Sequence, residues 1–321
     1  RLSQKDRRRF PISDVTGLQY EFLEYANAQG AAVGGATGAG GVAPKLLLML
    51  ENEEVFIDGD FAGKPLSATP YLTKFARNNR TTRDNNILKA EGVFYQVLSH
   101  ILRGTEVETI DVTKLRILQD NASGQVSLWL PRFDVGIDNN LATRFGLESI
   151  YSIINAEPGS YHDHFAVMQK VWQRIKDATK MSSDEFAKQY VVRDFLNLVF
   201  GNSDNHGRNT SFLKYSGDIQ FAPIYDFAPM KADPEVVTRL FKWERDCETA
   251  GQVDFLKVTQ ELADFCDPAE LISFLKQLAE RLIDLPHLLE KLNCPAEILN
   301  FPAIGFYNIK NKLAAMGVYD G

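Results

Sequence analysis

From residue 201 to residue 230 the chain reads GNSDNHGRNTSFLKYSGDIQFAPIYDFAPM, and this stretch limits what the rest can fold into. Asp204 and Asn209 stand five positions apart in a polar D-x-x-x-x-N loop, and Asp226 follows in Tyr225-Asp226-Phe227. Two apolar segments lie between them, 211–213 and 219–221, and read as strands that bring Asp226 back beside the loop. Two carboxylates and a carboxamide in this order suit phosphoryl transfer. One carboxylate meets the acceptor hydroxyl, while the other, with the carboxamide oxygen, holds Mg2+ on the nucleotide phosphates. Asp204 is the candidate for the first role, and Asn209 with Asp226 for the second. D-x-x-x-x-N alone is loose, because surface turns rich in Asn, Asp and Gly also produce it. The Tyr-Asp-Phe that follows narrows the reading.

A second feature precedes it. Residues 34–41, GGATGAGG, are almost without side chains and run into Val42-Ala43-Pro44-Lys45 and an apolar strand at 46–50. Gly38, Ala39, Gly40 and Gly41 allow backbone N–H groups to approach phosphate oxygens unobstructed. The run is not a P-loop, since Lys45 is outside G-K-[ST] and a strand follows it where a helix belongs. Taken alone, it also fits a flexible linker. Two lysines compete to pair with the phosphates. Lys45 is one; the other is Lys89, read as ending an apolar strand at 86–89 before a helix at 91–102. Either also reads as a strand-end lysine with its stem laid along apolar surface. Further strands are expected at 107–111 and 126–130. The latter leads into Pro131-Arg132-Phe133-Asp134, where Leu130 and Phe133 are candidates to line an adenine pocket. Phe133 fits ordinary core equally well.

Apolar spacing predicts a short amphipathic helix at 14–28 and, beyond Gly146, helices at 147–155, 161–179, 183–200, 254–265, 268–292 and 302–316. Ser182 and Glu185 form a capping box and Gly201 a stop, so the helix 183–200 delivers the chain into the Asp204 loop. His162 and His164, two apart at a helix start, diverge and read as surface residues. The layout is α+β, with a strand-rich N-terminal lobe over 1–130 and a helical C-terminal lobe over 131–321.

At 321 residues a sizeable core can be buried, and the three cysteines, Cys247, Cys266 and Cys294, have no paired spacing. A reducing, cytoplasmic setting is expected. No apolar run reaches the length of a membrane span. A net charge of −7 argues against strong direct binding to nucleic acid, and Arg7-Arg8-Arg9 reads as a solvated cluster. The first residue is Arg, so loss of an N-terminal region is expected.

Four segments make the chain resemble the HipA family of bacterial kinase-fold toxins, the serine/threonine kinases of HipBA-type toxin–antitoxin modules. They are Gly38-Ala39-Gly40-Gly41-Val42-Ala43-Pro44-Lys45, Ile87-Leu88-Lys89, Arg132-Phe133-Asp134, and Asp204-Asn205-His206-Gly207-Arg208-Asn209 with Ile224-Tyr225-Asp226. The family loop is Asp-Gly-His-x-x-Asn, so the last pair is the most specific. The resemblance implies a two-lobed protein-kinase-like fold and phosphorylation of a cellular protein with ATP and Mg2+. It implies Asp204 as catalytic base, His206 as the loop histidine that shapes the site, Asn209 and Asp226 as metal ligands, Lys89 on the ATP phosphates and Phe133 at the adenine. It also implies a HipB-like DNA-binding antitoxin as partner. The pattern is closest to the YjjJ-like branch.

Four departures qualify what is implied. The family's autophosphorylated loop serine is Gly38 here, with Thr37 adjacent, so the resemblance does not extend to self-inactivation by that route. Pro131 stands in place of a hinge glutamate, residues 143–149 replace the family's post-hinge segment, and the small N-terminal subdomain of full-length members is mostly absent. A small-molecule phosphotransferase shares the D-x-x-x-x-N logic, and a nucleotide-binding regulator without turnover, acting through a DNA-binding partner, is the third reading.

Overall fold

The computed structural model describes residues 8–18, 20–30, 44–57, 63–76 and 81–320. Two compact units emerge, one of Arg1–Gly92 with Ile110–Phe145, the other of Val93–Thr109 with Gly146–Gly321.

The first unit is built on an antiparallel sheet. Its strands are β1 (Phe10–Pro11), β2 (Lys45–Glu51), β3 (Glu54–Ile57), β4 (Thr69–Phe75), β5 (Arg116–Gln119) and β6 (Val126–Pro131), in the order β1-β3-β2-β4-β6-β5. Side chains alternate between the faces of each strand. Leu46, Leu48 and Leu50 join Tyr71, Phe75 and Trp129 on one face, and α1 (Ile12–Thr16) and α2 (Tyr20–Ala28) cover them through Val15, Phe22 and Ala26. The single helix expected at 14–28 is therefore two. Gly17 ends the first, and Leu18 turns the chain with a left-handed φ of 49°.

The opposite face of the sheet carries Lys74, Leu72, Leu128 and Leu130, which the register sets side by side as Lys74↔Leu128 and Leu72↔Leu130. Helix α3 (Thr82–Ile101) lies against this face. A Cβ on Gly92 would come within 2.6 Å of Ile117 and 2.9 Å of Leu128, so only glycine allows the approach. The strand expected at 86–89 does not exist; those residues are inside α3. Two apolar residues in a row, Ile87 and Leu88, cannot distinguish a strand from a helix turn, and the start of α3 is fixed upstream by reciprocal bonds between Thr81 and Asp84. The strand expected at 107–111 is also missing. Only a single bridge, Thr109↔Ile224, forms there, and β5 supplies the sheet edge instead. A hairpin follows, β7 (Val135–Asp138) and β8 (Leu141–Arg144), turned by Asn139 and Asn140 with φ of 49° and 64°.

The second unit is mainly helical. It begins with β9 (Gly146–Ser149) and α4 (Ile150–Ile153), where one helix at 147–155 was expected, and continues through β10 (His162–Asp163), α5 (His164–Ile175) and α6 (Ser183–Phe200). Helix α6 matches the expected bounds. The Ser182 and Glu185 capping box is formed, and Gly201 closes the helix with φ 73°. β11 (Ser211–Tyr215) and β12 (Asp218–Phe221) pair as expected, and β9 adds a third strand. β13 (Phe241–Lys242), β14 (Glu248–Thr249) and β15 (Gln252–Val253) precede α7 (Phe255–Glu261), α8 (Pro268–Leu282), α9 (Leu285–Lys291), α10 (Ala296–Leu299) and α11 (Ile309–Ala315). The long helix expected at 268–292 breaks because Pro286 has no N–H for a continuing helix and so starts α9. Phe94, Phe200, Phe227 and Phe306 meet edge to face, packing the end of α6 against the residue after Asp226. No described helix is long and apolar enough to cross a membrane.

Candidate active site

Asp204, Asn209 and Asp226 all belong to the second unit, and one buried side chain joins two of them. Asn202 is the first residue after the Gly201 stop. Its Nδ2 donates to Asn197 Oδ1 at the end of α6 (2.8 Å) and to the backbone carbonyl of Asp226 (3.3 Å). Its Oδ1 accepts the backbone N–H of Asp204 at 3.2 Å. A single carboxamide thus anchors both acidic positions to one rigid helix. Asn202 was not singled out in the sequence, where an asparagine beside a helix stop is indistinguishable from an ordinary turn residue.

The loop closes on itself. Asn209 Nδ2 donates to the Asp204 carbonyl at 2.7 Å and its N–H to the His206 carbonyl at 2.8 Å, so the two ends of D-x-x-x-x-N meet. His206 accepts the N–H of Arg208 on Nδ1 at 3.2 Å. That bond requires a lone pair on Nδ1 and puts the ring proton of the neutral imidazole on Nε2, which lies 3.5 Å from Asp204 Oδ1. The His206 ring stacks on Tyr151, and Gly207 lies so near that ring that a Cβ there would approach it to 2.5 Å.

Asp226 has a left-handed φ of 51°, a conformation that costs a non-glycine residue on the order of 1 kcal/mol or more. Bonds on both sides hold it there: Asn202 on its carbonyl, and the Tyr95 hydroxyl accepting the N–H of Phe227 at 3.1 Å. Tyr225 is half-buried, desolvation of its hydroxyl pushes its pKa up to about 12, and that hydroxyl is 2.6 Å from Ser211 Oγ. No cluster of three or more His, Cys, Asp or Glu that could hold a metal occurs among the described residues. One carboxylate with one carboxamide is a sufficient protein share for Mg2+, which fills most of its octahedron with water and phosphate oxygens.

In the first unit the buried ion pair is between Lys74 of β4 and Glu91 of α3, Nζ to Oε1 2.6 Å, with side chains 6% and 3% exposed. Lys89 is elsewhere. It lies on α3, half-buried, with its Nζ on Gln119 Oε1 at 2.9 Å. A strand lysine paired with a helix glutamate is the arrangement in which protein kinases hold the phosphate-binding lysine. Lys74 fits that description and Lys89 does not sit on a strand. In the sequence this pair corresponds to Leu72-Thr73-Lys74 near the end of a strand with a glutamate 17 residues on, a separation that local periodicity does not mark. Leu130 is buried in β6 on the Lys74 face, and Phe133 lies in the bend after it, flanked by an Arg132–Asp134 fork of 2.9 and 2.6 Å. Lys45 is the first residue of β2, opposite Lys74 in register. Gly38, Ala39, Gly40 and Gly41 fall outside the described residues.

His164 corrects another expectation. It is buried, with Nδ1 at 2.9 Å from the Tyr190 hydroxyl and its ring stacked on Trp243, because β10 pairs with β13 and draws the start of α5 inward.

The fold is kinase-like. The chain is similar in structure to HipA in the complex of HipA, HipB and operator DNA from the Shewanella oneidensis MR-1 toxin–antitoxin system. That match has TM-score 0.60 and 17% identity, over 99% of this chain and 73% of the other. It is also similar to the Helicobacter pylori proinflammatory kinase CtkA, with TM-score 0.51 and 15% identity, over 88% of this chain and 90% of the other. At such identities the likeness is one of fold. No curated protein sequence matches. The family model for the HipA-like C-terminal domain matches residues 37–284, and the chain belongs to the HipA family.

Proposed function

We propose that the chain is an ATP- and Mg2+-dependent protein serine/threonine kinase of the HipA toxin type. The observation that carries this reading is Asn202 joining the Asp204 N–H to the Asp226 carbonyl, because a base and a metal ligand placed on one support are what phosphoryl transfer asks of a protein. Bound Mg·ATP supplies the phosphoryl group and neutralises its developing charge. Asn209, whose Nδ2 is used on the Asp204 carbonyl, offers its Oδ1 to the cation together with the Asp226 carboxylate. Lys74, held by Glu91, serves the phosphate oxygens in place of Lys89. Asp204 orients the acceptor hydroxyl and takes its proton as the new P–O bond forms and the bond to ADP breaks. His206, its Nε2 proton toward Asp204, keeps that carboxylate turned to the acceptor.

Membership of the HipA family supports a growth-inhibiting role through phosphorylation of a cellular protein. It supports a HipB-like DNA-binding partner as well, since the Shewanella HipA is seen with HipB and operator DNA. The test is incubation with labelled ATP and Mg2+ in extract of a sensitive cell, followed by identification of the labelled species. A labelled protein band abolished by Asp204→Asn is expected. A labelled metabolite would replace this reading with a small-molecule phosphotransferase, and nucleotide binding without any transfer would replace it with a regulator.

A further inference from the structure

Helix α6 carries a carboxylate that the reaction does not consume. Asp194 is fully buried and accepts hydrogen bonds from separate segments. Asn205 Nδ2, from the residue after Asp204, donates at 2.8 Å. Arg239 Nη2 donates to both oxygens at 3.2 and 3.1 Å, and the Trp243 indole donates at 2.7 Å. His164 Nε2 lies 3.5 Å away. Burial alone would push the Asp194 pKa up; the charge of Arg239, with His164 and Trp243, outweighs it and holds the group well below the usual carboxylate range. Arg239 also binds Glu248 at 2.9 Å, whose other oxygen takes the N–H of Trp243 at 3.1 Å. Residues 239–248, downstream of Asp226, are thus wrapped on two carboxylates, and one of these also grips the Asp204 loop.

Fold stability does not account for such a network, because well-packed apolar residues in place of buried charges often stabilise as much or more. What an apolar residue could not do is join the loop to the later segment by directed bonds. Resting on the phosphoryl-transfer reading, we propose that Asp194 is a positioning residue: it fixes the backbone next to Asp204 while Arg239 is seated on it, so the segment 233–249 governs whether the loop is competent. With Arg239 gone, the nearest compensating charge goes too, and Asp194 turns toward solvent, releasing Asn205.

Hydrogen exchange on the full chain without nucleotide tests this, comparing wild type, Arg239→Gln, Arg239→Lys, Asn205→Ala and the double variant of Asn205→Ala with Arg239→Gln. Arg239→Gln is expected to speed exchange at residues 203–209 by about tenfold, the scale of a lost bond to a charged group, as well as in its own segment. Arg239→Lys restores most of the protection. Asn205→Ala loosens the loop without the segment, and adding Arg239→Gln to it loosens the loop no further. If Arg239→Gln affects residues 233–249 alone, Asp194 is a passive anchor and the proposal falls. Should Arg239→Gln fail to fold, Trp243→Phe, which removes the indole donor to Asp194, takes its place alone and with Asn205→Ala in the same comparison of additive against non-additive change. Turnover of the same proteins is expected to fall in parallel with loop protection. Absence of turnover in the wild type would defeat the kinase reading, and the exchange pattern would still decide the coupling.

Discussion

Lys74 Nζ is 2.6 Å from Glu91 Oε1, and both side chains are almost completely withdrawn from solvent. Breaking a buried pair by removing one partner leaves an uncompensated charge, at a cost of about 3–5 kcal/mol. Lys74→Met should therefore lower Tm sharply and abolish transfer from labelled ATP. Combining it with Glu91→Leu should recover most of the Tm while transfer stays lost. Lys89→Met, on a half-buried position of α3 whose Nζ reaches Gln119, should change transfer less than about threefold. Equal losses at Lys74 and Lys89 would contradict the assignment of the phosphate lysine.

Asn202 offers a separate prediction. Asn202→Ala removes a hydrogen bond from the part-buried N–H of Asp204 and one from the part-buried carbonyl of Asp226, together worth about 1–3 kcal/mol. Turnover should fall by roughly 10- to 100-fold at saturating ATP, the rate equivalent of that range. Steady-state kinetics at saturating nucleotide measures it, and unchanged kcat would show that the two acidic groups hold their places without this support.

Asp226→Asn should remove the Mg2+ requirement of nucleotide binding along with activity. Calorimetry with a non-hydrolysable ATP analogue should show wild-type affinity falling at least tenfold on chelation of Mg2+, and the variant binding equally weakly with or without the ion. An Asp226→Asn protein that retains the full Mg2+ dependence would move the metal site elsewhere.

Lys312 gives a pH signature. Its Nζ donates to the carbonyls of Val199 and Ile304, both at 2.9 Å, and burial, helped by Lys231, pushes its pKa down to about 7 from the ordinary 10.5. The unfolded chain keeps this proton up to about pH 10.5, while the folded protein gives it up near 7. Between those values unfolding takes up a proton, so raising pH favours the folded state; below 7 both forms are protonated and the contribution is flat. Denaturant melts from pH 6 to 10 should show wild type gaining stability relative to Lys312→Met as pH rises. A constant difference would show that Lys312 stays charged throughout.

Much of the second unit was legible because its signals are local. Ser182, Glu185 and Gly201 mark the ends of α6 through their own backbone bonds, and Asp204, Asn209 and Asp226 stand out by residue type and spacing. Errors clustered where the deciding partner is distant in sequence. Lys89 and Lys45 were weighed without Lys74 because adjacency to a helix or a glycine run can be read along the chain, whereas the contact of Lys74 with Glu91 exists only once β4 is laid under α3. His164 was placed on the surface by its spacing from His162, yet β13, nearly eighty residues later, buries it.

The sequence by itself determined which chemistry is on offer, since the order of acids and amides around residues 204–226 and the strand-then-helix layout are written in neighbouring residues. Tertiary structure alone decided which lysine loses its water to pair with a glutamate, and which asparagine ties one acid to another. Hydrogen bonds and desolvation depend on distances across the folded chain, and those distances are fixed only when sheet register and helix packing bring remote residues together.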